Sequence, residues 1–549
     1  MTTVAVLGAG VAGLTCAHEL VERNFKVVLI APRETLGGKA LSGKRVIRNL
    51  VGNAFAESPS AEHGFRFFPG FYEHLDDTMK RILIRSPLTR SLPVWDARSV
   101  FDCLVPIRTE ILAATGKPLV QLPAAAPLSV NTVRTAIQLP VQLLDLGLTH
   151  EDLQAFADKM WQIATSCSDR RRKEYERIPW RDFIESPGRS DEYYWYLASG
   201  LTRGLVAARA NVASTKTMGN LALRFLALLT GAAQTTDRVL CGPSDVVWIK
   251  PWLAHIDALA AQRPTPLEGG ENFELRGSRV LNLSRGLQFA VTIEGERDPI
   301  NADYVISALP IEELVTVLEA SGLAHDEHFA DVFAKLSELQ KTCLRKMRGI
   351  QIYLKKDVPL NYGHQLYLDS PWALTSISQA QFWGKILCDE NLPPEAKGVL
   401  SVDISSWDLP GLLNKKTAEE ALASSPLEVF REVIAQIRAG LGSAAAMELF
   451  GPNESNVLGW HLDNGRHGLL VNDVGSWDLR PRKSIKNVPR FFLAGDFVRT
   501  QTDLACMEGA NESARHAVNA LLVEERERTN QSHPACRTFS PRRPAIFVP

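Results

Sequence analysis

The sequence lacks any excess of charge. Lys and Arg number 61 and Asp and Glu 62, a formal net charge of −1. That balance gives no basic footprint for nucleic acid, and none is expected as a partner. Paired cysteines are also missing. The eight cysteines (16, 103, 167, 241, 343, 388, 506 and 536) include no C-x-x-C. This argues against a zinc site or a disulfide framework, so no metal is expected and the reading is of a reducing, cytoplasmic setting. No apolar run reaches the length of a membrane span. The nearest, "MGNLALRFLALLTG" (218–231), is interrupted by Arg224 and reads as a buried helix or channel wall. The first strand begins by Thr3, so no signal peptide is expected.

One acid is missing where its neighbours call for it. "TVAVLGAGVAGLTCAHELVERN" reads as strand, glycine turn and helix, and "KVVLI" as a second strand. Gly8, Gly10 and Gly13 have G-x-G-x-x-G spacing. Gly8 would make the tight turn, Gly10 would admit a pyrophosphate, and Gly13 would let the helix close on the strand. The phosphates would lie at the helix N-terminus, where free N–H groups and the dipole favour negative charge. The second strand of such a unit normally ends on Asp or Glu to hold a ribose, but here the next residue is Ala31. Losing that acid removes two hydrogen bonds to a charged acceptor, each about 1–2 kcal/mol. Three readings are open. Glu34 or a backbone carbonyl takes over; Arg33 faces the 2′-phosphate of NADP; or the site has decayed and binds its dinucleotide loosely or not at all, at the extreme leaving a binding scaffold.

Further along, 76–235 is rich in helical periodicity and 273–310 alternates as a small meander of strands. "GIQIYLKK" (349–356) and "GVLSVDIS" (398–405) read as strands, "SPLEVFREVIAQIRAGLG" (425–442) as a helix with a glycine stop. "RFFLAGD" (490–496) reads as a buried strand running into a turn, with a long helix after it. The end, 526–549, reads as a disordered tail.

Several stretches together are similar to the amine oxidase and carotenoid desaturase superfamily. "TLGGK" (35–39) resembles its second glycine motif, and "LAGD…CMEGA" within 493–510 its carboxy-terminal flavin motif. "EHGFRFFPGFYEHLDDTMKRI" (62–82) resembles the corresponding segment of plant-type phytoene and zeta-carotene desaturases. "GPSDVVWIKPW", "ADYVISALP" and "GIQIYLKKDV" follow in the family's order. The likeness spans most of 3–523 and is loose over 76–235, where substrate is chosen. It implies an α/β protein with a discontinuous Rossmann-type FAD-binding lobe (1–75, 236–310 and 485–525) and a second, substrate-binding lobe of mixed sheet plus helices (76–235 and 311–484).

The resemblance implies FAD held by Gly8, Gly10, Gly13, Arg33, Gly37, Gly38, Lys39, Val280, Gly495, Asp496 and Met507. Asp496 would hold the ribityl–phosphate portion, and the N–H near Met507 would face the N1/C2 edge of the isoalloxazine. Cys506 stands at a usual Ser and reads as a small packing residue rather than a flavin linkage. His63, Arg66 and Gln351 are the catalytic candidates, with Tyr72 beside them. Arg66 would bind a substrate anion or steady reduced flavin, or else pair with Glu62. Amine oxidases of the superfamily carry a flavin-facing Lys where Gly349 falls here, which argues against simple amine oxidation. His461, Asp463 and His467 read as part of a turn. The expectation is an FAD-dependent dehydrogenase or desaturase taking hydride to flavin N5 from a largely apolar, small-molecule substrate, an isoprenoid being one candidate. Its rivals are an amine or amino-acid oxidase and a redox-neutral isomerase or dehydroxylase. The electron acceptor is open between oxygen and a quinone, and a peripheral membrane contact is among the expectations.

Overall fold

The computed structural model describes residues 1–84, 98–123, 143–200, 202, 207–229, 236–262, 272–465 and 467–540, with backbone alone over 225–229. A five-stranded parallel sheet forms one centre. Its order is Phe273–Arg276, Lys26–Ile30, Thr3–Leu7, Tyr304–Ser307, Phe491–Leu493. The four strands from Lys26–Ile30 to Phe491–Leu493 are short, apolar and almost wholly buried, as parallel strands covered on both faces must be, while the edge strand Phe273–Arg276 is half-buried and carries two charges. Helix α1 (Val11–Val21), fully buried along its length, and part of the long helix Met507–Thr529 cover one face. A three-stranded antiparallel sheet (Val280–Arg285, Phe289–Ile293, Ile300–Ala302) and the helix Ile311–Ala320 share the core on the other. The stretch 273–310 is therefore not one meander. Its first and last strands belong to the parallel sheet, and only the middle three form a separate unit.

The second centre is a nine-stranded mixed sheet. It runs Ala54–Glu62, Ser42–Arg48, Val457–Leu462, Arg348–Leu354, Gly398–Ile404, Leu374–Ser378, His364–Tyr367, Thr109–Ala113, Val120–Pro123. The helical stretch Pro426–Phe450 packs on it through Val429, Val433 and Ile437. That stretch breaks at Gly442 (φ 77°, ψ 167°), where the sequence places a stop. The described residues between 146 and 223, with Ala114, Val120, Leu366 and Leu368 from the sheet side, build a further core around Trp180, Tyr193 and Met218. The apolar run at 218–231 lies on the helix Thr215–Leu229, and its last two residues fall outside the described ones.

Two expected boundaries shift. Ser42–Arg48 and Ala54–Glu62 lie within 1–75 but form an edge of the nine-stranded sheet, with Arg48 paired to Trp460. Helix α2 (His74–Arg81), assigned by sequence largely to the substrate side, packs instead on Met507–Thr529, here α3. The expected tail is ordered as far as residue 540. Helix α3 continues to Thr529, and Cys536 is buried and exchanges two hydrogen bonds with Asn519. Arg23 and Arg515 donate to the carbonyls of Pro534 and Arg537, and the Phe539 N–H reaches His74 Nε2 at 3.0 Å. A polar composition hid this because the segment is held by its backbone. Residues 541–549 lie outside the described ones.

Candidate flavin site and its junction with the mixed sheet

The first glycine turn shows which glycines the protein itself needs. Gly8 has φ +96°, and a Cβ there would lie 2.7 Å from the Ala308 carbonyl oxygen. A Cβ on Gly13 would fall 1.8 Å from the Gly8 oxygen. Gly10 is different. Its φ of −77° suits any residue, and the nearest atom to a Cβ would be Gly38 Cα at 3.8 Å. No side chain caps α1, whose N-cap is Gly10. The packing does not call for a glycine there, but a ligand phosphate lying on the backbone does. The residues present thus fit a dinucleotide diphosphate. The second glycine motif is tied to this turn: Gly37 N–H donates to Ala9 O (2.8 Å), and Gly38 lies directly over Gly10.

The carboxy-terminal motif arrives from the far side. Gly495 N–H donates to Ser513 Oγ (2.9 Å), which turns the chain so that Asp496 meets Lys39 Nζ at 2.8 Å. The two predicted residues, 457 apart in sequence, are brought together. The motif's other acids point elsewhere. Glu508 accepts N–H groups from Glu73, His74 and Leu75 and caps α2, while Glu512 accepts from Gln501 and Thr502. Met507 opens α3 behind the N-cap Cys506, whose Sγ accepts from Gly509 N–H (3.5 Å). Burial pushes the Cys506 thiol up to about 11, so it is not a thiolate at neutral pH. That supports packing over covalent flavin attachment.

At the adenosine end, Ala31 is buried and its N–H donates to Arg276 O (3.0 Å). Arg33 lies against Gly277, where a Cβ would come 2.9 Å from its Cγ. Glu34 is exposed on the short turn Arg33–Thr35. Val280 starts the antiparallel unit and is buried in the core that also holds Leu7 and Ile30.

The segment after the second glycine motif joins the two sheets. Arg66 does not pair with Glu62. Its Nη2 donates to Lys39 O (2.8 Å) and its Nη1 to Gly64 O (3.3 Å), so it braces the second glycine motif. Glu62 instead accepts from Ser244 N–H and Oγ–H and from Gln379 Nε2 (2.8, 2.5 and 3.0 Å). Gln351 belongs to the same buried network. Only 1% exposed, it accepts from Glu62 N–H and Tyr353 O–H and donates to Gln379. Its polar atoms are committed to that network. His63 Nδ1 lies 2.7 Å from Asp463 Oδ2, a partner that sequence spacing assigned to a turn. Burial opposes the Asp463 charge, but His63 and the Gly465 N–H outweigh it and hold the carboxyl at about 2.

Gly349 lies under this loop. A Cβ there would come 1.9 Å from His63 O, so backbone closes the position to any side chain. Its partner in the next strand is Asp403. The Asp403 carboxyl lies against Gly64, whose Cβ would fall 1.9 Å from Oδ1. It is 7% exposed and has no hydrogen bond or ion pair among the described residues. Burial pushes it up to about 7, with nearby Arg66 lowering and Glu62 raising it. Sequence reading missed Asp403. The signal available was one acid in an otherwise uncharged strand, "GVLSVDI". Among the described residues no three His, Cys, Asp or Glu side chains converge as a metal site.

The profile of flavin-containing amine oxidoreductases matches residues 11–522. The chain belongs to this family. It is an FAD-dependent oxidoreductase, and the resemblance read from its glycine and carboxy-terminal motifs holds. Among solved structures, it is similar to an oxidoreductase from Methanosarcina mazei (14% identity, TM-score 0.59, covering 94% of this chain and 99% of that one). It is likewise similar to cyclohexylamine oxidase from Brevibacterium oxydans (14%, TM-score 0.58, 96% and 99%). At such identities the likeness is one of fold. A curated relative, the carotenoid phi-ring synthase of Chlorobaculum tepidum, is 35% identical over 88 residues, which is 16% of this chain and 12% of that protein. No helix among the described residues is long and apolar enough to cross a membrane.

Proposed function

We propose that this flavoenzyme is a dehydrogenase or desaturase that takes hydrogen from C–H bonds of a largely apolar small molecule of the isoprenoid type. The observation that carries the reading is the closed position at Gly349. The His63 and Gly64 backbone leaves no room for a side chain there, and by the family resemblance this is the position of the amine oxidases' flavin-facing lysine. The segment shared with a carotenoid ring synthase points the same way. Bound FAD supplies the two-electron acceptor, at N5. The chain supplies position. Gly10 and the first turn of α1 would take the diphosphate, Lys39 and Asp496 the ribityl–phosphate region, and Met507 N–H the flavin edge. Arg66 fixes the Lys39 backbone beneath them, and His63 stays oriented by Asp463. The electron acceptor on this reading is oxygen or a quinone.

Anaerobic mixing tests it. The FAD-loaded enzyme is mixed with a linear polyene such as phytoene in detergent, and separately with cyclohexylamine and putrescine. Bleaching of the flavin by the polyene alone is expected. Bleaching by the amines alone would replace this reading with an amine oxidase.

A further inference from the structure

Removing two hydrogens from a C–C unit leaves one task that a hydride acceptor does not perform. One hydrogen departs as hydride to flavin N5. The neighbouring C–H bond then gives its electron pair to the new π bond, and its hydrogen must leave as a proton. Substrate loses two electrons and two hydrogens, the flavin gains the hydride, and the proton needs a base. His63 is tied to Asp463 through Nδ1, which leaves its Nε2 open, while Arg66 is a cation spent on carbonyl oxygens and Gln351 is locked in a network. Glu62 is held by three donors.

One acid at the junction is left. Asp403 is more than nine-tenths buried, has no partner among the described residues, and lies against the Gly64 backbone beside the closed Gly349 position. An unpaired acid in such a place is costly unless it is used. We propose that Asp403 is the catalytic base that takes the substrate proton while hydride goes to the flavin, and returns it to solvent between turnovers. This rests on the dehydrogenase reading. The charged groups facing it are Arg66 and Glu62, with the His63–Asp463 pair on the same loop; its strand neighbours Gly349 and Thr375 carry no charge. A carboxyl near 7 is poised to exchange protons at neutral pH.

The test compares the FAD-loaded full chain with Asp403→Asn, close to isosteric, and with Asp403→Glu. Flavin occupancy by visible absorption should be equal in all three. Infrared titration without substrate should show a carboxylic acid band in the wild type that disappears through about pH 7 and is missing from Asp403→Asn. Bleaching by phytoene should fall by about 10²–10⁴ in Asp403→Asn and lose its limb near pH 7, with partial recovery in Asp403→Glu. Wild-type bleaching with an unchanged limb in Asp403→Asn, or no such band in the wild type, overturns the proposal. A flavin-loaded wild type that no polyene bleaches takes down the reaction class, and this inference with it.

Discussion

The glycine turns and the mixed-sheet junction sit side by side and are built on opposite terms. At the turns, backbone does the recognising. Gly8 and Gly13 are fixed by contacts within the protein, whereas Gly10 faces open space. At the junction, side chains from strands far apart in sequence are layered on a loop. His63 meets Asp463, Gly64 meets Asp403, and Glu62 meets Ser244 and Gln379. Cofactor binding asks for a backbone shape that many sequences share, whereas the reaction asks for one carboxyl in one place. A family can therefore keep the first while changing the second.

Substitutions that add a Cβ should separate the two regions most sharply. Gly13→Val and Gly349→Lys each drive a side chain into a backbone carbonyl less than 2 Å away. Each should cost several kcal/mol, on the order of 3 or more, and yield little soluble protein. Gly10→Glu, facing open space, should leave the apoprotein's melting temperature within a few degrees and abolish flavin absorption. Equal loss of solubility in all three would erase the distinction drawn among the glycines.

Asp403 should reveal itself in the pH dependence of stability. Its folded value, about 7, lies above the ordinary 3.8, so folding favours the protonated form. The contribution is full below pH 4, falls as pH rises to about 7, and is flat beyond. Asp403→Asn should then stabilise the protein at pH 8 by about 1–4 kcal/mol while it impairs turnover. Chemical denaturation at pH 5 and pH 8 measures this, and equal effects at both would mean that the carboxyl is not desolvated. Asp463 carries the opposite sign. Its value of about 2 contributes stability above pH 4 that is lost as pH falls toward 2, about 1–2 kcal/mol. His63→Ala should flatten that acid limb.

Asp496→Ala should weaken FAD by roughly 10–100-fold, the loss of one charged hydrogen-bond partner. Its pair with Lys39 is 37% and 20% exposed, so folding stability should change by less than about 1 kcal/mol. Ala31→Glu should have the smallest effect, tightening FAD by up to about tenfold. Unchanged affinity in equilibrium dialysis would mean that another group, Glu34 or a backbone carbonyl, already holds the ribose.

Legibility followed the same divide. Strands Thr3–Leu7, Lys26–Ile30 and Phe491–Leu493, both glycine turns and the start of α3 could be read because each is a local pattern with a local physical cause. The Lys39–Asp496 contact could be read only through the two motifs that carry its ends. The His63–Asp463 pair and Asp403 could not be read, since they depend on cross-strand register and on which loop lies over the sheet. The network around Gln351 was hidden for the same reason, since Glu62 and Gln379 come from other segments of the chain. Polar composition suggested disorder beyond 526, although carbonyl groups there are held by Arg23 and Arg515.

The separation of Lys39 from Asp496 has a consequence for biosynthesis. The strand Phe491–Leu493 completes an edge of the parallel sheet, and α3 covers its face. A nascent chain emerging at about 5–20 residues per second therefore carries the glycine turns for tens of seconds before their counterpart leaves the ribosome. Until then α1 and the strands beside it expose apolar surface with no lid, and FAD meets half a site. Flavin capture thus reports that synthesis has reached α3. Chains truncated before Phe491 should be colourless clients of chaperones, and limiting riboflavin should act on this enzyme after translation, through turnover of the uncapped lobe.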